Sequence, residues 1–110
     1  MKNLEQIRAK NALEAAPEIG KGKTGGDVVK KIPPMIRDNG ILASAAFARD
    51  KREGYETVFH AVIKHLKILG IMPQNEEKMI EWLITVDSAK LRAVTEETMS
   101  YLNYLRRFVR

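Results

Sequence analysis

Two histidines are the first place to look for chemistry in this chain. His60 and His65 are its only imidazoles, and a metal pair on a helix needs a spacing of three or four so that both rings project the same way. A spacing of five sets them about 140° apart at roughly 100° per residue, which argues against a shared metal. His60 instead lines up with Lys64 and Lys67 as a polar stripe that widens a basic surface. The carboxylate pairs Glu76-Glu77 and Glu96-Glu97 have no histidine or second acid at a meaningful offset. They are expected at helical solvent faces, in dipole and solubility roles. Gly22-Lys23-Thr24 has the ending of a phosphate-binding loop, but the glycine required five residues before Gly22 is Pro17, and a helix rather than a strand precedes it. No Gly-x-Ser-x-Gly elbow is present. With no cysteine, thiolate nucleophiles and zinc–thiolate sites are excluded. The sequence therefore predicts no enzyme: no catalytic residue, no metal site and no cofactor.

The basic residues are the more informative group. The 110 residues carry 19 Lys plus Arg against 14 Asp plus Glu, a formal charge of +5. Residues 1–67 hold 13 basic and 8 acidic side chains and residues 68–110 hold 6 of each, so the excess lies in the first two thirds. Between Gly20 and Arg37, Lys21, Lys23, Lys30, Lys31 and Arg37 face only Asp27. Such a patch attracts polyanions without sequence preference. On a continuous helix Lys30 and Arg37 lie about 20° apart, and Arg106 and Arg110 share a face at spacing four. The Tyr and Phe residues fall on core stripes, so phosphate contact is indicated rather than base stacking.

Helices must position these groups. Apolar residues recur at helical spacing almost everywhere and β-branched alternation is missing, which predicts an all-α fold, one compact bundle of about six helices over residues 1–110. A first helix spans about 3–19, with Leu4, Ile7, Ala12, Ala15, Ala16 and Ile19 on its packed side and Pro17 bending or ending it. The glycines of 20–26 break it. Asp27 caps a second helix, which Pro33-Pro34 kinks or restarts and Asn39-Gly40 ends. An alanine-rich third helix, 41 to about 51, is anchored by Phe47. The fourth, about 55–69, has Tyr55, Phe59, Val62, Leu66 and Leu69 as its core stripe, and Gly70 ends it. Asn75 caps a fifth that is apolar around most of its circumference. Asp87 caps a sixth, about 88–108, whose Leu91, Val94, Thr98, Tyr101, Leu105 and Phe108 form a heptad seam. No stretch approaches the roughly 20 apolar residues of a membrane span, and the charged residues of 1–10 argue against a signal peptide.

Two separated regions resemble a known family. Lys30-Lys31-Ile32-Pro33, Met35-Ile36, Asn39-Gly40-Ile41 and Phe47, followed by Arg92-Ala93, Thr95-Glu96, Tyr101-Leu102 and Leu105-Arg106-Arg107-Phe108, are similar to the small subunit of the type III-B CRISPR effector, the Cmr complex. The chain departs from the family pattern at Leu91, where an aromatic is usual, and at Pro34, which doubles the proline. The resemblance implies a cytoplasmic, non-catalytic antiviral-defence subunit. Such a subunit self-stacks into a minor filament beside the backbone subunits and contacts CRISPR RNA and target RNA through the assembly. On that resemblance the residues expected to face nucleic acid are Lys30, Lys31, Arg37, Arg106 and Arg107. The alternative from composition alone is a small basic helical DNA-binding regulator. It needs an exposed recognition helix carrying base-reading side chains.

Overall fold

Apolar spacing of three and four residues builds helices, and six of them fill the described part of the chain with no strand among the described residues. The computed structural model describes residues 2–20 and 25–109. They form α1 (Leu4–Gly20), α2 (Gly25–Asn39), α3 (Ile41–Lys51), α4 (Tyr55–Ile68), α5 (Met79–Thr85) and α6 (Ser88–Phe108). No described helix is long and apolar enough to cross a membrane.

α6 is the axis of the bundle, packing against α1, α2 and α4. Val94, Thr98, Tyr101 and Leu105 are buried as the heptad spacing predicts, joined by Leu102, while Leu91 and Phe108 are half-buried at the two ends. Asp87 caps it, its Oδ1 accepting from the Lys90 amide at 2.8 Å. α4, packed against α1, α3 and α6, buries Tyr55, Val58, Phe59, Val62 and Leu66, and Gly70, at φ +74°, turns the chain just after α4. α1 is different in character. Its buried apolar residues are Ala12, Ala16 and Ile19, and the remaining buried position is the polar Asn11. Only Ile19 among them carries the bulk that contributes about 1.5–3 kcal/mol on full burial. Leu4, expected on the packed side, is 42% exposed.

Pro17 does not end α1, and Pro33-Pro34 does not restart α2. α1 runs through Pro17 to Gly20, and α2 runs unbroken through Pro33 and Pro34. A proline removes one backbone donor and frees the carbonyl four residues earlier. For Pro17 that carbonyl belongs to Leu13, which is exposed, so water can serve it. In α2 the burial of Val28, Val29, Ile32 and Ile36 offsets the two lost bonds. Because α2 starts at Gly25, Asp27 sits inside its first turn and complements the dipole rather than capping it.

Two further expectations are corrected. α5 begins at Met79, not after Asn75: the Glu76 carboxylate accepts from the amides of Glu77 and Lys78 at 3.1 and 3.0 Å, and holds that segment outside the helix. Phe47 is no buried anchor. It is 42% exposed and meets Tyr55 edge-on at 5.2 Å, while Ile41, Ala45 and Ala48 carry α3 into the core.

The Asn39-Gly40 stop forms as expected. Gly40 lies at φ 89°, ψ 160° between α2 and α3, a region essentially restricted to glycine. A Cβ there would touch nothing within 4 Å, so the penalty is purely conformational. Gly40→Ala is expected to lower stability by about 1–3 kcal/mol, read as a shift of the urea midpoint with an unchanged slope. A shift under a quarter of that size would contradict the assignment.

Candidate nucleic-acid interface and a buried polar cluster

On α2 the apolar residues Val28, Val29, Ile32 and Ile36 turn inward, which leaves Lys30, Lys31 and Arg37 exposed. The unbroken helix keeps Lys30 and Arg37 on nearly the same side, with Lys31 about 100° away. The Arg37 guanidinium lies 3.4 Å from the Asp38 carboxylate, both about two-thirds exposed. Such a pair is worth about 0–1 kcal/mol and is readily exchanged for another anion. Arg106 and Arg107 are exposed in the last turn of α6, where their charge complements the helix dipole. α2 packs against α6, so both cationic groups belong to neighbouring helices. Lys21, Lys23 and the Gly22-Lys23-Thr24 segment lie outside the described residues, as does Arg110. On α4, His60 and Lys64 are exposed and Lys67 is half-buried.

The second feature is internal. His65 is 1% exposed, with both ring nitrogens and one ring face engaged. Nε2 stands 2.9 Å from Glu97 Oε2, and Nδ1 stands 2.8 Å from Asn11 Nδ2. The Tyr101 ring stacks on it at 4.2 Å and 10°. These partners assign a neutral imidazole whose Nε2–H donates to Glu97 and whose Nδ1 accepts from the Asn11 amide. Arg8 completes the set: its Nε and Nη2 donate to the two Glu97 oxygens at 2.8 and 2.7 Å, a bidentate pair. The Tyr101 hydroxyl lies 3.5 Å from the Asn11 carbonyl. One polar cluster therefore joins α1, α4 and α6.

Its electrostatics agree with the geometry. Burial pushes the His65 imidazole below the ordinary histidine range, against the pull of the Glu97 carboxylate. Burial pushes Glu97 upward, but the hydrogen bonds from Arg8 and His65 outweigh it and hold the carboxyl below the usual range. The Glu97 hydrogen bond raises Arg8, and burial raises the Tyr101 phenol well above its ordinary value. A cleft of about 380 Å³ between α1 and α4 reaches His65. Both ring nitrogens are already committed, so no lone pair or proton is presented to a molecule in that cleft.

The reading of Glu96-Glu97 as solvent-facing is thus half wrong: Glu96 is exposed, whereas Glu97 is 7% exposed and fully paired. A signal was present. Glu97 stands three residues after Val94 and four before Tyr101, and His65 stands three after Val62, so both occupy the inner stripe of their helices. A charged residue on an apolar stripe demands a partner, but Arg8, 89 positions away, is not visible from local spacing.

The whole ensemble falls within one family match: a model described as CRISPR-associated protein (Cas_Cmr5) covers residues 4–110. The chain belongs to the Cas_Cmr5 family. It is accordingly a subunit of the CRISPR Cmr complex, and it assembles with other Cmr subunits. The region that matches Cas_Cmr5 contains the five surface cations and every member of the buried cluster. A curated protein, the probable ubiquitin-conjugating enzyme E2 25 of Arabidopsis thaliana, is 32% identical over 82 residues, 74% of this chain. The chain spans only 14% of that protein's length, so its activity does not transfer to this Cas_Cmr5 member. No solved structure matches the chain.

Proposed function

We propose that this chain is a non-catalytic, cytoplasmic subunit that self-stacks into the minor filament beside the Cmr backbone subunits. There it helps hold target RNA against the CRISPR RNA in antiviral defence. Family membership over nearly the whole chain supports the assembly role. The outward exposure of Lys30, Lys31, Arg37, Arg106 and Arg107 supports the RNA role. Exposed cations on two packed helices suit sequence-independent phosphate contact. The sequence of the target is then read by base pairing with the guide rather than by this subunit.

Reconstitution tests the reading directly. Omission of this subunit is expected to weaken target RNA binding by the assembled complex. Unchanged affinity, or failure to co-purify with the backbone subunits, sinks it. The cationic part has its own signature. Single-stranded phosphate contacts each contribute about 0.7 to the slope of log affinity against log salt. The combined Lys30→Ala, Lys31→Ala, Arg37→Ala variant in the full complex should therefore flatten that slope by about 2. The isolated subunit binds RNA weakly, because its contacts act at high effective concentration only inside the assembly. A slope identical to wild type would exclude α2 from the RNA path.

A further inference from the structure

α1 is held to the bundle by an unusual mixture. Its fully buried apolar side chains are few and mostly small, Ala12, Ala16 and Ile19. Its most specific attachments are polar: the bidentate Arg8–Glu97 pair and the Asn11–His65 hydrogen bond, both reaching across to other helices. The Asn11 bond exists in one protonation state. With the ring neutral, Nδ1 accepts from the Asn11 amide. With the ring protonated, Nδ1–H would point at that same N–H₂ donor, and Asn11 would have to turn over or leave.

The groups around His65 only partly compensate the added proton: Glu97 favours it but is shared with Arg8, and Asn11 can accept from Nδ1–H only after turning over. From α1 it faces Arg8 through Glu97, a positive charge, together with Asn11. From α6 it faces Glu97, already saturated by Arg8, and the neutral Tyr101. The adjoining cleft carries Glu14 and Glu18 on its α1 wall and His60 and Lys64 on its α4 wall. Acidic and basic groups oppose each other there and largely cancel.

We propose that α1 is a pH-releasable arm, latched onto α4 and α6 through neutral His65, so that mild acidification opens α1 while the α4–α6 core stays packed. The sign follows from proton linkage. Burial lowers the His65 value below its ordinary 6.5 in the closed state, and departure of α1 uncovers the ring and lets that value rise. Opening therefore takes up a proton as the pH falls below about 6.5. In that window the population of the opened state rises by up to about tenfold per pH unit, the limit for one proton. Glu97 adds to the effect only at lower pH, below its ordinary carboxyl value of 4.5.

Native-state hydrogen exchange on the full chain at pH 7.5, 6.5 and 5.5 reads this out as protection factors for each helix. The expected result is that protection in α1 falls by up to about tenfold between pH 6.5 and 5.5, while α4 and α6 keep theirs. A neutral replacement, His65→Gln, retains an amide donor for Glu97 without a titrating ring and should make α1 protection flat over the same range. Equal loss across α1, α4 and α6, or no loss in α1, overturns the proposal. Should His65→Gln fail to fold, the wild-type exchange profile decides, paired with the NMR titration of the His65 ring protons. A ring that gains its proton before α1 opens would also overturn it.

Discussion

Glu97→Ala is expected to destabilise the chain by about 3 kcal/mol, among the largest losses available from one surface-remote substitution. The carboxylate is the common acceptor of Arg8 and His65, with oxygens 2.7 to 2.9 Å from three donors. Removing it strands the guanidinium and the imidazole N–H together, and an unpaired buried cation costs more than the intact pair contributes. The figure sits at the lower end of the usual range because the Arg8 side chain retains 22% of its exposure and can recover part of its hydration. Two companions sharpen the result. Arg8→Met is also expected to be costly, since it leaves the more deeply buried Glu97 carboxylate with His65 as its remaining partner. Adding it to Glu97→Ala should relieve about 1–3 kcal/mol of the penalty as a coupling energy. Urea unfolding of the four proteins at pH 7.5 measures all three quantities. A Glu97→Ala loss under 1 kcal/mol, or strict additivity, would mean that the cluster does not tie α1 to α6.

Much of this architecture follows from local spacing. The stripe from Tyr55 to Leu66 and the seam from Val94 to Leu105 are buried where their three-and-four periodicity puts them. The turns at Asn39-Gly40 and Gly70 and the Asp87 cap also rest on chemistry confined to a few neighbouring residues. The failures share a different cause. Pro17, Pro33 and Pro34 carry strong local penalties, but a freed carbonyl facing water costs little and a buried helix face outweighs the rest. Asn75 is a competent cap on paper, yet the Glu76 side chain binds the amides first. His65 and Glu97 reveal their burial through their place on apolar stripes, whereas their mutual pairing and that with Arg8 depend on three helices meeting. The exposure of Lys30, Lys31, Arg37, Arg106 and Arg107 was legible, because a cation opposite a buried stripe points outward, whereas Lys67, read as part of a basic stripe, is half-buried.

The contrast between seam and rim supplies the second large effect. Leu105 is 0% exposed at a heptad position of α6, whereas Leu4, the same residue type on the predicted apolar side of α1, is 42% exposed. Leu105→Ala removes transfer free energy and leaves a cavity that the surrounding helices fill only partly, so a loss of about 2–5 kcal/mol is expected. Leu4→Ala should stay within about 0.5 kcal/mol, since the side chain already lies at the surface. The sequence patterns of the two positions are similar, and what separates them is the partner face. α6 is surrounded by α1, α2 and α4, so its seam has receiving surfaces on several sides. α1 is the helix most extensively packed on α6, but it packs mainly through small residues and polar contacts, and Leu4 in its first turn stays exposed. Unfolding midpoints for the two variants decide the matter, with the wild-type slope as the check on two-state behaviour. Comparable losses at the two leucines would require the first turn of α1 to be buried as deeply as the seam of α6.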